Sequence, residues 1–252
     1  MLNIGVVGCT GRLGKILSEN ILADNELQLF AVGRKGNQFV GKDISEIVGG
    51  AYRNIVISDT ILMNDDCDVY IDCTNAETFI NQNAEQYLKK CKSVLIATTG
   101  FSEKDFIKIE QMSKKMPILF SANYSISLYT FIESLKIAAK NITSKTDVNI
   151  IEMHHNRKID APSGTAIRIQ EALCESNTKL EKDKIAISSI RGGNIFGEHR
   201  VVFANENDEV LEYIHSVYSR GSFAAGIIEA AKWLIKQAAG YYAMNDFLES
   251  RK

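Results

Sequence analysis

The chain has 252 residues, 45% of them apolar and 24% charged, with a formal net charge of −2. That length is enough to bury one large core or two modest ones, and the near-neutral balance excludes the basic field with which nucleic-acid-binding proteins neutralise phosphates. Cys9, Cys67, Cys73, Cys91 and Cys174 are scattered and never spaced C-x-x-C, which argues against a disulfide frame or zinc knuckle and for a reducing, cytoplasmic setting.

The opening Met1-Leu2-Asn3-Ile4-Gly5 leads directly into an apolar strand, Leu2 to Val7, with neither the charged nor the long apolar region of a secretory leader. No run approaches the roughly 18 apolar residues of a membrane span. A helix is expected from about Gly11 to Ala23 and a second strand from Leu27 to Val32. Between the first strand and the first helix stands Gly8-Cys9-Thr10-Gly11-Arg12-Leu13-Gly14. Glycines there let the backbone approach a pyrophosphate closely, while free amides and the positive dipole of the helix start bind its charge. A tight turn alone would also use glycines, but the position after the first strand of an α/β chain favours a dinucleotide.

An NAD site usually carries Asp or Glu at the end of the second strand, accepting from the ribose hydroxyls. This sequence has Gly33-Arg34-Lys35 instead. Two cations and no carboxylate suit the 2′-phosphate of NADP, because guanidinium grips phosphate oxygens through two N–H groups at once. A solvated basic turn is the plainer alternative.

Strands follow at Val69 to Cys73, Val94 to Thr98 and Ile118 to Ser121, separated by the amphipathic runs Ala76 to Lys90 and Ser102 to Lys115. This alternation reads as α/β, a Rossmann-like doubly wound parallel sheet whose ligand crevice lies at the carboxyl ends of its strands. Two strand-end turns, Asp72-Cys73-Thr74 and Ala97-Thr98-Thr99-Gly100-Phe101, have short residues expected to admit the nicotinamide ribose and ring, and a third segment, Ser121-Ala122-Asn123-Tyr124, ends the next strand at the same crevice. A plain loop is the alternative for any one of them, and their shared location favours a cofactor groove.

After a helical run from about Ser127 to Asn141, strands dominate: Val148 to Met153, Ile185 to Ile190, Arg200 to Ala204 and Val210 to Tyr218. The polar Asn205-Glu206-Asn207-Asp208 between the last two suggests a hairpin. A second, smaller α+β domain over residues 125–220 is inferred. Ser222 to Gln237 is helical again and is expected to pack on the first domain, so that residues 1–124 and 221–252 together form the dinucleotide-binding domain. Hinging is expected around residues 124–127 and 220–222.

The chemistry concentrates in Glu152-Met153-His154-His155-Asn156-Arg157-Lys158-Ile159-Asp160-Ala161-Pro162-Ser163-Gly164-Thr165-Ala166, which leaves a strand, crosses a polar loop and enters a helix at about Gly164. Neighbours on a strand face opposite ways, so at most one of His154 and His155 enters a cleft unless the loop has already begun. Adjacent histidines also chelate metal poorly compared with an i, i+4 helical pair, and no metal is expected. Ser163 caps the helix, and its first turn carries no acid, which leaves its amides and dipole to an external carboxylate. With Lys158 and one imidazole, the loop gathers three kinds of anion-binding group. Core histidines and a solvated lysine would be the plain structural reading.

The segment E-x-H-H-x-x-K-x-D-A-P-S-G-T-A resembles the signature of the dihydrodipicolinate reductases. The glycine turn, A-T-T-G-F, S-A-N-Y-S, and Arg191-Gly192-Gly193 followed by Gly197-Glu198-His199 resemble that family's pattern in the same order across nearly the whole chain. The resemblance implies NAD(P)H-dependent reduction of a small cyclic dicarboxylate in lysine and diaminopimelate biosynthesis. It implies His154 as acid-base residue and Lys158 as proton donor or electrophile, with His155, Gly164 and Thr165 on the substrate carboxylates. Residues Gly8 to Leu13, Arg34, Ala97 to Thr99 and Ser121 to Tyr124 would contact the cofactor. Gly33 stands where members with strong NADH use often carry an acid, so NADPH is expected to be preferred, with NADH possible. The resemblance further implies a homotetramer built on the second domain's sheet.

Other readings differ in what they require. A non-catalytic NAD(P)-sensing protein would use the same glycine turn but not the His154 to Thr165 loop. A short-chain oxidoreductase would need Tyr-x-x-x-Lys, and no tyrosine here has lysine four residues on. An aldehyde dehydrogenase would need a cysteine nucleophile, and none of the five cysteines has a histidine nearby in sequence.

Overall fold

Strand β1 (Leu2–Val7) enters a turn, then helix α1 (Arg12–Ala23) and strand β2 (Leu27–Val32). A short helix α2 (Ser45–Val48) precedes β3 (Val69–Asp72). The stretch read from sequence as one amphipathic run is interrupted: α3 (Ala76–Thr78) widens into a π-turn (Phe79–Asn83) before α4 (Ala84–Lys90). Then follow β4 (Ser93–Ile96), α5 (Glu103–Ser113) and β5 (Pro117–Phe120). The computed structural model describes residues 1–61, 66–90, 92–143 and 145–251; Cys91 lies outside them. The described cysteines, Cys9, Cys67, Cys73 and Cys174, are in no disulfide.

Helix α6 (Ile126–Asn141) begins a second unit, followed by β6 (Asp147–His154), α7 (Gly164–Ser176), β7 (Ala186–Arg191), β8 (Gly197–Ala204) and β9 (Val210–Val217). The chain then returns to the first unit through α8 (Gly221–Leu234), β10 (Gly240–Tyr242) and α9 (Met244–Glu249). The two units comprise Met1–Ser125 with Arg220–Lys252, and Ile126–Ser219.

The first sheet has the order β10-β5-β4-β3-β1-β2, with every pairing parallel. Strands β3 and β4 are buried at every position, as expected when helices cover both faces of a parallel sheet. Helix α8 buries Ala224, Ile227, Ile228 and Ala231, the i, i+3, i+4, i+7 stripe of a helix docked on one side, and packs on α1, β3 and β4 as the sequence suggested. Strand order reverses between β1 and β3, where an open α/β sheet leaves its ligand crevice.

The second sheet has the order β7-β6-β8-β9, with β6/β7 parallel and the other pairs antiparallel. Its inner face, including Val148, Ile150, Val201 and Phe203, packs with Leu128, Ile132 and Leu135 of α6 and Ile169 and Leu173 of α7. The β8–β9 hairpin forms around Asn205 to Asp208, with Asp208 in the left-handed region at φ 59°.

Candidate functional site

In the first unit a cavity of about 270 Å³ opens at the ends of β1, β2 and β3, lined by Gly8, Thr10, Gly11, Arg34, Lys35, Cys73 and Thr74 among others. Two glycines are obligatory. Gly8 has φ +90°, and a Cβ there would lie 2.9 Å from the Cys73 carbonyl oxygen; at Gly14 it would lie 2.2 Å from the Gly8 oxygen. The turn is therefore as tight as a backbone cradle for a pyrophosphate requires. Its amides are not all free, however. Gly8 and Cys9 both donate to the Val32 carbonyl, at 2.8 and 3.1 Å. The amides that open α1, from Arg12 onward, are without intrahelical partners, as at any helix start.

The expected cofactor residues thus divide. Cys9 is fully buried, and burial pushes its thiol up to about 12, so its side chain belongs to the core. Arg12 and Leu13, on the first turn of α1, do not line the cavity. Ala97 to Thr99 and Ser121 to Tyr124 lie beyond the ends of β4 and β5, and likewise do not line it. Thr98 donates to the Asp72 carboxylate at 2.8 Å, and Tyr124 donates to the Ile96 carbonyl at 2.8 Å. Those two side chains hold strand ends in place. The basic turn has company that the sequence did not reveal: Asp59 and Thr60 line the same cavity as Arg34 and Lys35, brought there by the parallel bridge of Val32 with Ser58. A carboxylate therefore stands in the cavity beside the two cations, contributed by the loop after β2.

Beneath the strand ends, the buried Asp72 accepts from five groups: Thr74 N–H (3.1 Å), Thr74 Oγ1 (2.7 Å), Thr98 Oγ1, Asn83 Nδ2 (2.8 Å) and Tyr87 Oη (2.7 Å). A buried carboxylate is tolerable only with such a shell. Burial, then the neighbouring Asp72 charge, pushes the Tyr87 hydroxyl well above its ordinary pKa, so Tyr87 stays a donor.

In the second unit β6 ends at His154, and His155 already belongs to the loop. Lys158 Nζ donates to both Asp160 carboxylate oxygens, at 2.9 and 2.7 Å. The cation expected to stand open to a ligand therefore has an exposed internal counter-ion. Ser163 caps α7, its hydroxyl accepting from Ala166 N–H at 3.2 Å, and the first turn carries no acid, as read from sequence. The same hydroxyl meets His199 Nε2 at 3.2 Å. His154 and His199 rings lie edge to face at 5.3 Å. Burial lowers the His154 pKa, with Glu152 opposing, and takes His199 down to about 3. Both shifts favour the neutral ring.

Glu152 was not among the expected site residues. It is fully buried and contacts His154 Nδ1, Arg191 and the Ser163 amide. Burial disfavours its charge, but hydrogen bonds from Arg191, Ser189 and His154 outweigh that and bring its pKa down to about 2. The signal for it was in the sequence, because residues two apart on a strand share a face and Glu152 precedes His154 by two. Arg191 required the fold, since it is His154's register partner across β6 and β7.

Residues 2–124 match the profile of the dihydrodipicolinate reductase N-terminus, and residues 128–248 that of the dihydrodipicolinate reductase C-terminus. The chain belongs to the dihydrodipicolinate reductase family. It is an oxidoreductase with a Rossmann-like domain for a nicotinamide cofactor. It is 35% identical over 266 residues to the 4-hydroxy-tetrahydrodipicolinate reductase of Acinetobacter baylyi, covering 97% of this chain and 95% of that protein. It is 34% identical over 270 residues to the protein of the same name from Pseudomonas fluorescens, covering 100% of both. The fold is similar to that of dipicolinate-bound dihydrodipicolinate reductase from Paenisporosarcina sp. TG-14, with a TM-score of 0.75 at 19% identity, covering 97% of this chain and 99% of that one.

For a dihydrodipicolinate reductase, the glycine cradle and the cations beside it fit a phosphorylated dinucleotide, and the imidazole, ammonium and acid-free helix tip fit an anionic ring. Among the described residues no helix is long and apolar enough to cross a membrane, and no group of three or more His, Cys, Asp or Glu is placed to hold a metal ion.

Proposed function

We propose that this reductase acts on 4-hydroxy-tetrahydrodipicolinate, forming tetrahydrodipicolinate on the route to diaminopimelate and lysine, with NADPH preferred and NADH usable. A reduced nicotinamide supplies the hydride. The single observation that carries the substrate reading is that one continuous segment presents His154, Lys158 and the acid-free tip of α7, a set of groups suited to a ring with two carboxylates.

In this reading Gly164 and Thr165 offer their helix-start amides to one carboxylate, and His155 contacts the other. His155 Nδ1 is buried without a hydrogen-bond partner, so a ligand group there removes a cost. The ring hydroxyl and a hydrogen from the adjacent carbon leave as water, giving a C=C conjugated with the C=N. Lys158 exchanges the Asp160 carboxylate for the incoming dianion and stabilises charge that builds as hydride reaches the carbon that carried the hydroxyl. The electron pair passes through the conjugated system to the ring nitrogen, which takes up a proton, the ammonium of Lys158 being the charged donor at hand, and a shift of that proton to carbon restores the C=N of tetrahydrodipicolinate. His154, neutral at rest, exchanges protons through its free nitrogen, and a bound dianion raises its pKa again.

Gly8, Thr10, Gly11, Arg34, Lys35, Cys73 and Thr74 would hold the adenosine and phosphate part of the cofactor, with Arg12 and Leu13 adding amides. Ala97 to Thr99 and Ser121 to Asn123 would continue toward the nicotinamide. Arg34 and Lys35 support NADPH, and Asp59 in the same cavity supports some use of NADH.

A homotetramer formed through the outer face of the second sheet is part of the proposal, supported by exposed Ile190, Val210 and Ile214 on its strands. A cytoplasmic setting is also part of it, in keeping with the absence of a disulfide among the described cysteines. The test is Lys158→Ala. Turnover is expected to fall by about 10²-fold or more while NADPH binding, followed by its fluorescence, persists; near-normal turnover refutes the assignment.

A further inference from the structure

Glu152 joins four parts of the second unit. Its Oε2 accepts from His154 Nδ1 and from Arg191 Nη1 at 2.9 Å. Its Oε1 accepts from Arg191 Nη2 at 2.6 Å and from the Ser163 backbone N–H at 3.2 Å. Arg191 Nη2 in turn donates to the Asp160 carbonyl at 2.7 Å, pinning the loop that carries Lys158. Such a buried ion pair is a poor source of stability, since well-packed apolar residues of similar volume often do as well. Its connections are more specific than its charge.

An ionised carboxylate only accepts hydrogen bonds. The proton of neutral His154 must therefore sit on Nδ1, which leaves the lone pair on Nε2. The room for that ring edge comes from Gly197, where an added Cβ would lie 3.3 Å from His154 Nε2. The same carboxylate that fixes the tautomer also holds the Ser163 amide, one residue before the α7 tip.

We propose that Glu152, clamped by Arg191, is a positioning residue of the reductase site: it holds the His154 proton on Nδ1, presents Nε2 as the exchanging nitrogen, and ties that imidazole to the start of α7. The inference rests on the reading of His154 as the proton-exchanging residue. The charged and titratable groups facing His154 are Glu152, Lys158, Arg191 and His199.

Nitrogen NMR of histidine-labelled protein at pH 8 reads the tautomer directly, with the His154 signals identified by their loss in His154→Gln. The wild type is expected to show Nδ1–H, Nε2-unprotonated His154. In Glu152→Gln the amide can donate to Nδ1, so the ring is expected to switch to Nε2–H. Turnover of this variant should fall about 10²- to 10⁴-fold, as when a histidine is held in the wrong tautomer, with KM for the dicarboxylate changed less than about 3-fold. The histidine limb of its pH profile should move to lower pH, because the carboxylate that favours the imidazolium is gone. Glu152→Asp should recover part of the turnover.

An Nε2–H tautomer in the wild type overturns the proposal without recourse to any Glu152 variant, as does a Glu152→Gln protein with unchanged tautomer and turnover. If the wild type reduces nothing with either cofactor, the proposed function fails, and the wild-type tautomer still decides whether Glu152 sets the ring.

Discussion

Replacing Ser163 with Ala removes two contacts made by one buried hydroxyl. The first is the N-cap of α7, which accepts from Ala166 N–H at 3.2 Å and is worth about 1 kcal/mol. The second is the contact with His199 Nε2, also at 3.2 Å. His199 is buried, and its Nδ1 already has no partner; stranding its second nitrogen costs about 1–3 kcal/mol more. The combined loss is about 2–4 kcal/mol, a fall in Tm of roughly 5–15 °C for a chain of this size. Melting followed by far-ultraviolet circular dichroism reads it. Ser163→Gly separates the two parts, because glycine forfeits only a few tenths of a kcal/mol as a cap yet strands the imidazole equally. Ser163→Thr should restore most of the loss. A Ser163→Ala melt within about 2 °C of wild type refutes the reasoning.

Arg34→Ala should weaken NADPH about 10- to 100-fold, the loss of one charge-assisted phosphate grip, while changing NADH by less than about 3-fold; fluorescence titration with each nucleotide measures both. Gly8→Ala forces a left-handed φ on alanine and drives its Cβ to 2.9 Å from the Cys73 carbonyl oxygen, so dinucleotide binding should be lost together with about 2 kcal/mol or more of stability. Acid should destabilise the protein through Glu152. Its folded pKa, about 2, lies below the ordinary 4.5, so the stabilisation is complete above the unfolded value and drains away as pH falls toward the folded one. Urea midpoints should therefore drop between about pH 5 and pH 2, and Glu152→Gln should flatten that part of the curve.

Local signals were read reliably from the sequence. Ser163 before an acid-free first turn gave the start of α7, because a cap is formed by residues three apart in the chain. The glycine turn after β1 gave the cradle for the same reason. What the sequence concealed depended on distant pairing or on shifted periodicity. Asp59 reaches the basic cavity only because Ser58 bridges Val32. The π-turn at Phe79–Asn83 inserts a residue into a run that otherwise reads as one helix, while Asn83 and Tyr87, four apart on one face, both reach Asp72. Strand β10 has three residues, too few for an alternation to register. The pairing of Lys158 with Asp160 was open to inspection as residues two apart, but whether a loop brings them together is decided by the backbone.

The most direct measurement follows NADPH and NADH oxidation separately, using freshly generated 4-hydroxy-tetrahydrodipicolinate and mass identification of the product. Oxidation of nucleotide in step with formation of tetrahydrodipicolinate, faster with NADPH than with NADH, is the expected result. Tight nucleotide binding with no oxidation of either cofactor would contradict the assignment of substrate and reaction.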